Sequence, residues 1–271
     1  MDNLPYTLTV NELWLLLSQY GPAYVLGMEN PYLGWLADEI ESAHHQAVDS
    51  LLARGLARPL TDETIDVDDQ LLAMAEACVH PIHSVVLQVS QANGQGEQRY
   101  IHFTDGLIVD HQVTGLDQHV LSSYASRTAL LESMSTIFRL NSGTRGRGSA
   151  FQLPETALYQ AAELAASGRP DEISVVLKEA GLQKPDIEAL QAALTHPVAN
   201  VSLAVIANQG NPDTQHVRGF GILESEADLW LLCPFDQLGQ PKVEFIPIDA
   251  AGIRQRLEET LPASAPEKEA A

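Results

Sequence analysis

The feature that most constrains this chain is a stretch that occurs twice. His80-Pro81 closes an apolar helical run over residues 71–79 and opens a strand-like run over 84–90. His196-Pro197 does the same between 187–195 and 201–206. One constant offset, 116, superposes the two stretches, and over residues 71–94 it gives eight identities. They are Ala73/Ala189, Ala77/Ala193, His80/His196, Pro81/Pro197, Val85/Val201, Leu87/Leu203, Val89/Val205 and Gly94/Gly210. Self-similarity at one offset marks a repeated structural unit. The chain reads as two copies of a helix-then-β-meander unit, against the alternative that two amphipathic segments are alike by chance. Copies of this kind place the two His-Pro marks about a pseudo-twofold axis.

The rest of the chain fits around these marks. Thr9 and Glu12 form a capping box for a first helix through Leu13-Trp14-Leu15-Leu16-Leu17, each satisfying a backbone N–H of the other. Leu33, Leu36, Ile40 and Ala43 lie at helical spacing, and Val48, Leu51 and Leu52 continue a helix to Gly55. Helix, helix, then Arg54-Gly55-Leu56 has the look of a winged-helix scaffold. Residues 61–69 form an acidic connector without calcium-loop spacing. Two strands flank Asp105-Gly106, a two-residue hairpin signal, and residues 118–140 read as helix. Gly-rich 142–152 reads as a linker between a first half, 1–141, and a second, 153–262, with a flexible tail at 263–271. In the second half Gly168-Arg169-Pro170 breaks a helix, strands are expected at 216–223, 228–234 and 242–246, and a last helix spans 250–261. The fold class is α+β, two quasi-symmetric halves, each of helices followed by an antiparallel meander.

Charge narrows the function. With 36 acidic and 15 basic residues the net charge is −21, which opposes nucleic-acid backbones and anionic membranes because both need clustered cations. A DNA-reading helix would present Glu39, Glu41, His44, His45 and Asp49, which lacks phosphate-contacting cations. No apolar run is long enough for a membrane span, and no secretory signal pattern precedes the first helix. Cys78 and Cys233 sit in apolar runs as free thiols of a reducing cytoplasm.

Motifs for chemistry are missing. His80, His83, His196 and His216 lack a Cys or carboxylate partner at zinc-like spacing, and Ala199 stands where a second copy of His83 belongs. Each His-Pro is read as a helix stop, its imidazole bonding the last carbonyls. There is no nucleophile elbow or phosphate loop. The expectation is no catalytic residue, no metal and no cofactor. What remains is surface for another protein, a helical one. Along 228–235, Trp230 and Leu232 lie on one side and Leu229, Leu231 and Cys233 on the other. One side should face the helices of its own half and the other the sister half. The sharper expectation is that Trp230, Leu232 and Phe235, with the hairpin loop Asn93-Gly94-Gln95, receive a partner's helices. A non-enzymatic winged-helix regulator or scaffold is the alternative.

Several pieces together resemble the EspG family of type VII (ESX) secretion-associated proteins. They are Leu8-Thr9-Val10-Asn11-Glu12-Leu13, the Ala53-Arg54-Gly55-Leu56 step, the helix before Pro81 feeding a meander, and Val243-Glu244-Phe245-Ile246-Pro247-Ile248-Asp249 before a last helix. The resemblance implies a central antiparallel sheet flanked by helical bundles. It also implies a cytosolic chaperone that binds the helical tip of PE–PPE substrates and keeps the pair soluble until secretion. No contact residue carries over from it.

Overall fold

The computed structural model describes residues 5–21, 24–61, 64–91, 96–115, 117–138, 145–207 and 216–263. Strand β1 (Tyr6–Thr9) leads into helix α1 (Val10–Ser18). The Glu12 N–H donates to the Thr9 hydroxyl at 3.2 Å, and the Thr9 N–H donates to the Glu12 carboxylate at 2.7 Å, the reciprocal capping box. Helix α2 (Ala37–Ala53) is followed by Gly55 at φ +69°, a backbone conformation open to glycine at no steric cost. Hairpin β2 (Ala57–Pro59) and β3 (Ile65–Val67) comes next. Asp68 then caps α3 (Asp69–Val79) by accepting from the Leu71 N–H at 3.0 Å. After His80 come β4 (His83–Gln91), β5 (Gly96–Phe103), β6 (Ile108–Thr114), β7 (Gln118–Tyr124) and α4 (Arg127–Ile137). The second part runs β8 (Phe151–Pro154), α5 (Glu155–Ala166), α6 (Pro170–Glu179), α7 (Lys184–Thr195), β9 (Ala199–Ala207), β10 (His216–Glu224), β11 (Leu229–Gln237), β12 (Gln240–Pro247) and α8 (Ala250–Thr260).

Ten strands form one antiparallel sheet in the order β1-β7-β6-β5-β4-β9-β10-β11-β12-β8. At its middle β4 pairs with β9, placing Leu87 opposite Leu203, Val85 opposite Val205 and Val89 opposite Val201. These six residues are the strand identities of the 116 offset. Offset and register therefore meet at one point, Leu87/Leu203, and the strand order reads the same outward from it in both directions. That is the pairing a twofold between copies requires.

Alternation gives the sheet two faces. On the back face Val85, Leu87, Val89, Ile101, Val201, Leu203, Val205, Phe220 and Leu231 are buried with Leu130 and Met134 of α4 and Ile253 and Leu257 of α8. Arg127 of α4 donates to the backbone carbonyls of Glu258, Leu261 and Pro262, and Arg218 of β10 donates to the Thr260 carbonyl at 2.9 Å. Two cations thus meet the negative end of α8. On the front face α1, α2 and α3 share one core with Val109 and Leu121 of the sheet, and α5, α6 and α7 share another with Trp230 and Phe245.

Several expectations change. Residues 118–124 are strand β7, not helix, and Ser126 caps α4 by accepting from the Ala129 N–H. The strand is held between β6 and β1, which overrides a weak helical spacing. Helix α2 begins only at Ala37, so Leu33 and Leu36 stand outside it at 85% and 66% exposure. The β2–β3 hairpin lies between α2 and α3 and the three helices share their core with the sheet, so no separate winged-helix core exists among the described residues. Within the expected linker, 142–144 lie outside the described residues, the Gly146 N–H donates to the Ile248 carbonyl at 2.7 Å, and 151–152 belong to β8. His80 and His196 are the C-caps of α3 and α7. The His80 ring, however, stands edge-on to Tyr20 at 6.3 Å between centroids. Cys78 is buried and Cys233 only half-buried. Of the tail, 264–271 lie outside the described residues.

Candidate partner-binding surface

The two helical packs of the front face leave the middle of the sheet open. Gln88 and Ser90 of β4 and Asn200 and Ser202 of β9 are exposed although these are the two central strands. The registers place Gln98, Gln88, Ser202, Gly221 and Leu232 in one row across this floor, and Tyr100, Val86, Ala204 and Gly219 in the next. An antiparallel sheet can leave part of one face without helical cover. Here short polar side chains and half-buried Val86, Ala204 and Leu232 form the surface instead. Gly219 keeps it flat: a Cβ there would stand 2.1 Å from the Leu203 carbonyl oxygen. Helices α6 and α7 border a groove of about 1050 Å³ lined by Val175, Lys178, Leu182, Ile187 and Gln191, with no residue of the floor among its lining.

The residues singled out from the sequence fall in different places. Trp230 is 1% exposed and fills the core beneath α5–α7 with Leu190 and Phe245. It is out of a partner's reach, because the helices of its own half cover that side of β11. Leu232 is half-buried against the same core and forms the end of the floor row beside Gly221. Phe235 is half-buried opposite Lys242 on β12; by alternation it points to the other face from Trp230 and Leu232. Asn93, Gly94 and Gln95 lie outside the described residues. Leu229 and Leu231 belong to the back core with Cys233 packed on it.

Sequence reasoning missed the floor, because Gln88, Asn200 and Ser202 belong to no motif. It also missed Leu238. Pairing of β10 with β11 runs only from Gly221/Leu232 to Glu224/Leu229, whereas β11 and β12 stay paired out to Gln237/Gln240. At the tip of that hairpin Leu238 is 99% exposed with φ 56°. A branched apolar residue in the left-handed region, fully in solvent, carries a conformational cost that nothing in its own fold repays.

Titratable groups under the first pack are structural. His111 Nε2 and His119 Nδ1 are 2.8 Å apart, and the Ser84 hydroxyl lies 3.0 Å from His102 Nδ1. Burial pushes His102 down to about 4, and burial with the neighbouring His102 and His119 pushes His111 down to about 3. Neutral imidazoles are what a dry site allows. Among the described residues no group of three or more His, Cys, Asp or Glu is placed to hold a metal ion, and no helix is long and apolar enough to cross a membrane.

The geometry is that of a binding protein built on one wide sheet with helical walls. The sequence model of the EspG family matches residues 9–259, and the chain belongs to that family. No curated protein matches it. Among solved structures it is similar to the Mycobacterium tuberculosis type VII secretion system chaperone EspG5, determined in complex with the PE25–PPE41 dimer. The TM-score is 0.64 at 14% identity, covering 96% of this chain and 98% of that one. At that identity the likeness speaks for the fold.

Proposed function

We propose that this protein is a cytoplasmic, non-enzymatic chaperone that holds helical PE–PPE-like substrates of a type VII secretion system soluble, seating them on the open sheet floor. The observation that carries the reading is the uncovered centre of the front face, with Gln88, Asn200 and Ser202 exposed between two helical walls. Family membership and the client bound by the similar EspG5 point the same way. Amides and hydroxyls on the floor can satisfy the polar groups at a helix tip, and half-buried Val86, Ala204 and Leu232 can cover its apolar side chains. We also infer that the two halves are copies of one unit, on the 116 offset and the Leu87/Leu203 register.

The test is co-expression with the PE–PPE pairs of the same cell, followed by size exclusion. A soluble ternary complex is expected with at least one pair. Ser202→Trp, which fills the floor from an exposed position, should abolish that complex while leaving the unfolding free energy within about 0.5 kcal/mol of the parent. No complex with any pair, or full binding by the Ser202→Trp protein, would overturn the reading.

A further inference from the structure

The first 53 residues contain seven acidic residues and neither a lysine nor an arginine. Inside that stretch, between α1 and α2, the chain exposes Tyr24 (75%), Leu33 (85%), Trp35 (46%) and Leu36 (66%). Four large apolar side chains exposed within 13 residues exceed the scattered singles a soluble surface normally shows. They are not a frayed segment. Gly27, at φ +79°, lies against the Tyr100 ring so closely that a Cβ would stand 2.2 Å from it, and Val25 and Met28 are buried in the first pack.

Of the exposed residues, Tyr24 and Trp35 each border a groove. One, of about 580 Å³, is lined by Trp14, Leu17, Tyr24, Val25 and Met28; the other, of about 450 Å³, by Asn11, Trp35, Asp38, Glu39 and Gln46. A row of rings divides them: Trp14 stands edge-on to Tyr32 at 6.4 Å, and Tyr32 lies 5.4 Å from Trp35. Tyr32 is 6% exposed, yet among the described residues its hydroxyl has no hydrogen-bond partner, and neither has Nε2 of His44, whose ring is 5.3 Å away. Buried polar atoms without partners are costly where nothing else completes them.

We infer that this face is a second docking surface, separate from the sheet floor, and that it takes a cationic amphipathic helix of another protein. The apolar side of such a helix would cover Leu33, Trp35 and Leu36 and enter the grooves with side chains one turn apart. Its lysines or arginines would meet Glu29, Asp38, Glu39 and Glu41, which are exposed with no lysine or arginine before Arg54 in the sequence, though the His45 ring lies 3.9 Å from Glu41. Charge of one sign around an apolar patch selects the opposite sign in a partner.

The test uses a fluorescein-labelled Leu/Lys helical peptide titrated into the full-length protein and read by anisotropy. Saturable binding is expected, at least about tenfold tighter than for a Leu/Glu peptide of the same apolar pattern. Leu33→Glu/Leu36→Glu should weaken it by about tenfold or more, although it makes the protein more negative, so diffuse attraction to an acidic surface predicts the opposite sign. Asp38→Lys/Glu39→Lys should weaken it too. Ser202→Trp should leave peptide binding intact, which keeps this inference separate from the fate of the floor. Circular dichroism of each variant checks that it folds. The inference fails if Leu33→Glu/Leu36→Glu binds as the parent does or if both peptides bind equally. It also fails if an Arg-flanked proline-rich peptide binds better than the helix, or if sedimentation shows a dimer that the same substitutions dissolve.

Discussion

Burial of His102 and His111 ties the stability of this protein to mildly acidic pH. In an unfolded chain each imidazole takes its proton near 6.5; in the fold they do so at about 4 and about 3. Falling pH therefore protonates the unfolded chain first, and the side that binds more protons gains. Stability is full above 6.5 and declines from there until the folded protein itself protonates at about 4 and about 3. Glu12 contributes its loss lower down. Burial would raise its carboxyl, but the Thr9 N–H, Ser50 and Arg54 together hold it below 4.5. In the interval from 6.5 to 4.5 the buried histidines lower stability, His119 among them since burial lowers it as well, while Asp110, whose carboxyl burial raises, works in the opposite direction. Urea midpoints should fall across that interval, and His102→Asn should flatten the slope whatever it does to the absolute midpoint. Parallel slopes for parent and variant would count against this account. None of this was legible in the sequence, where His102 and His111 are two polar residues in alternating strands and His80-Pro81 drew attention instead.

At the scale of elements, β11 and β12 form the hairpin with the most to say. Its turn needs positive φ, for which asparagine and glycine are suited; Gly239 fits, and Leu238 at φ 56° does not. Replacing Leu238 by Asn should raise folding stability by several tenths to about 1 kcal/mol, because a left-handed conformation costs an ordinary residue about 1–2 kcal/mol. If Leu238 is kept for contact with a client, the same change should weaken retention of a PE–PPE pair. A variant that is more stable and binds as well as the parent would show that the tip has no such role. Elements whose edges carry stereochemical signals were legible. Thr9 with Glu12 marks α1, Asp105-Gly106 marks the β5–β6 turn, and Pro170 stands at the start of α6. Elements decided by their neighbours were not. Residues 118–124 become β7 because β6 and β1 take up their backbone groups. Leu33 and Leu36, spaced as if to continue α2, lie before its start and remain exposed. That misplacement hid the aromatic face between α1 and α2.

Across the whole molecule, what joins the two halves is the β4–β9 seam. It has nine residue pairs, as many as β9–β10 and one more than β4–β5. The line between the halves is therefore no weaker than the lines within them. The back core reinforces it: α4 and α8 lie over both sides of the seam, and Arg127 reaches from α4 to the end of α8. The six residues that carry the 116-offset similarity in the sequence, Val85, Leu87, Val89 and their counterparts, are buried at this seam, which is why that similarity and the centre of the fold were legible together. The floor above them was not, since exposed Gln88 and Ser202 obey no packing constraint that leaves a pattern. A seam of this length should make the two parts of the chain unfold as one. Leu203→Ala, at 2% exposure, should cost about 2–5 kcal/mol through lost burial and the cavity left behind. The loss should appear equally in both halves. Trp230 reports on the second pack and Trp14 with Trp35 on the first, so Trp230→Phe and Trp14→Phe/Trp35→Phe backgrounds separate the two signals. Denaturation curves from the two backgrounds should share one midpoint and shift together when Leu203→Ala is added. Two distinct midpoints, or a shift confined to the Trp230 signal, would mean that the halves are independent domains that only touch along β4 and β9.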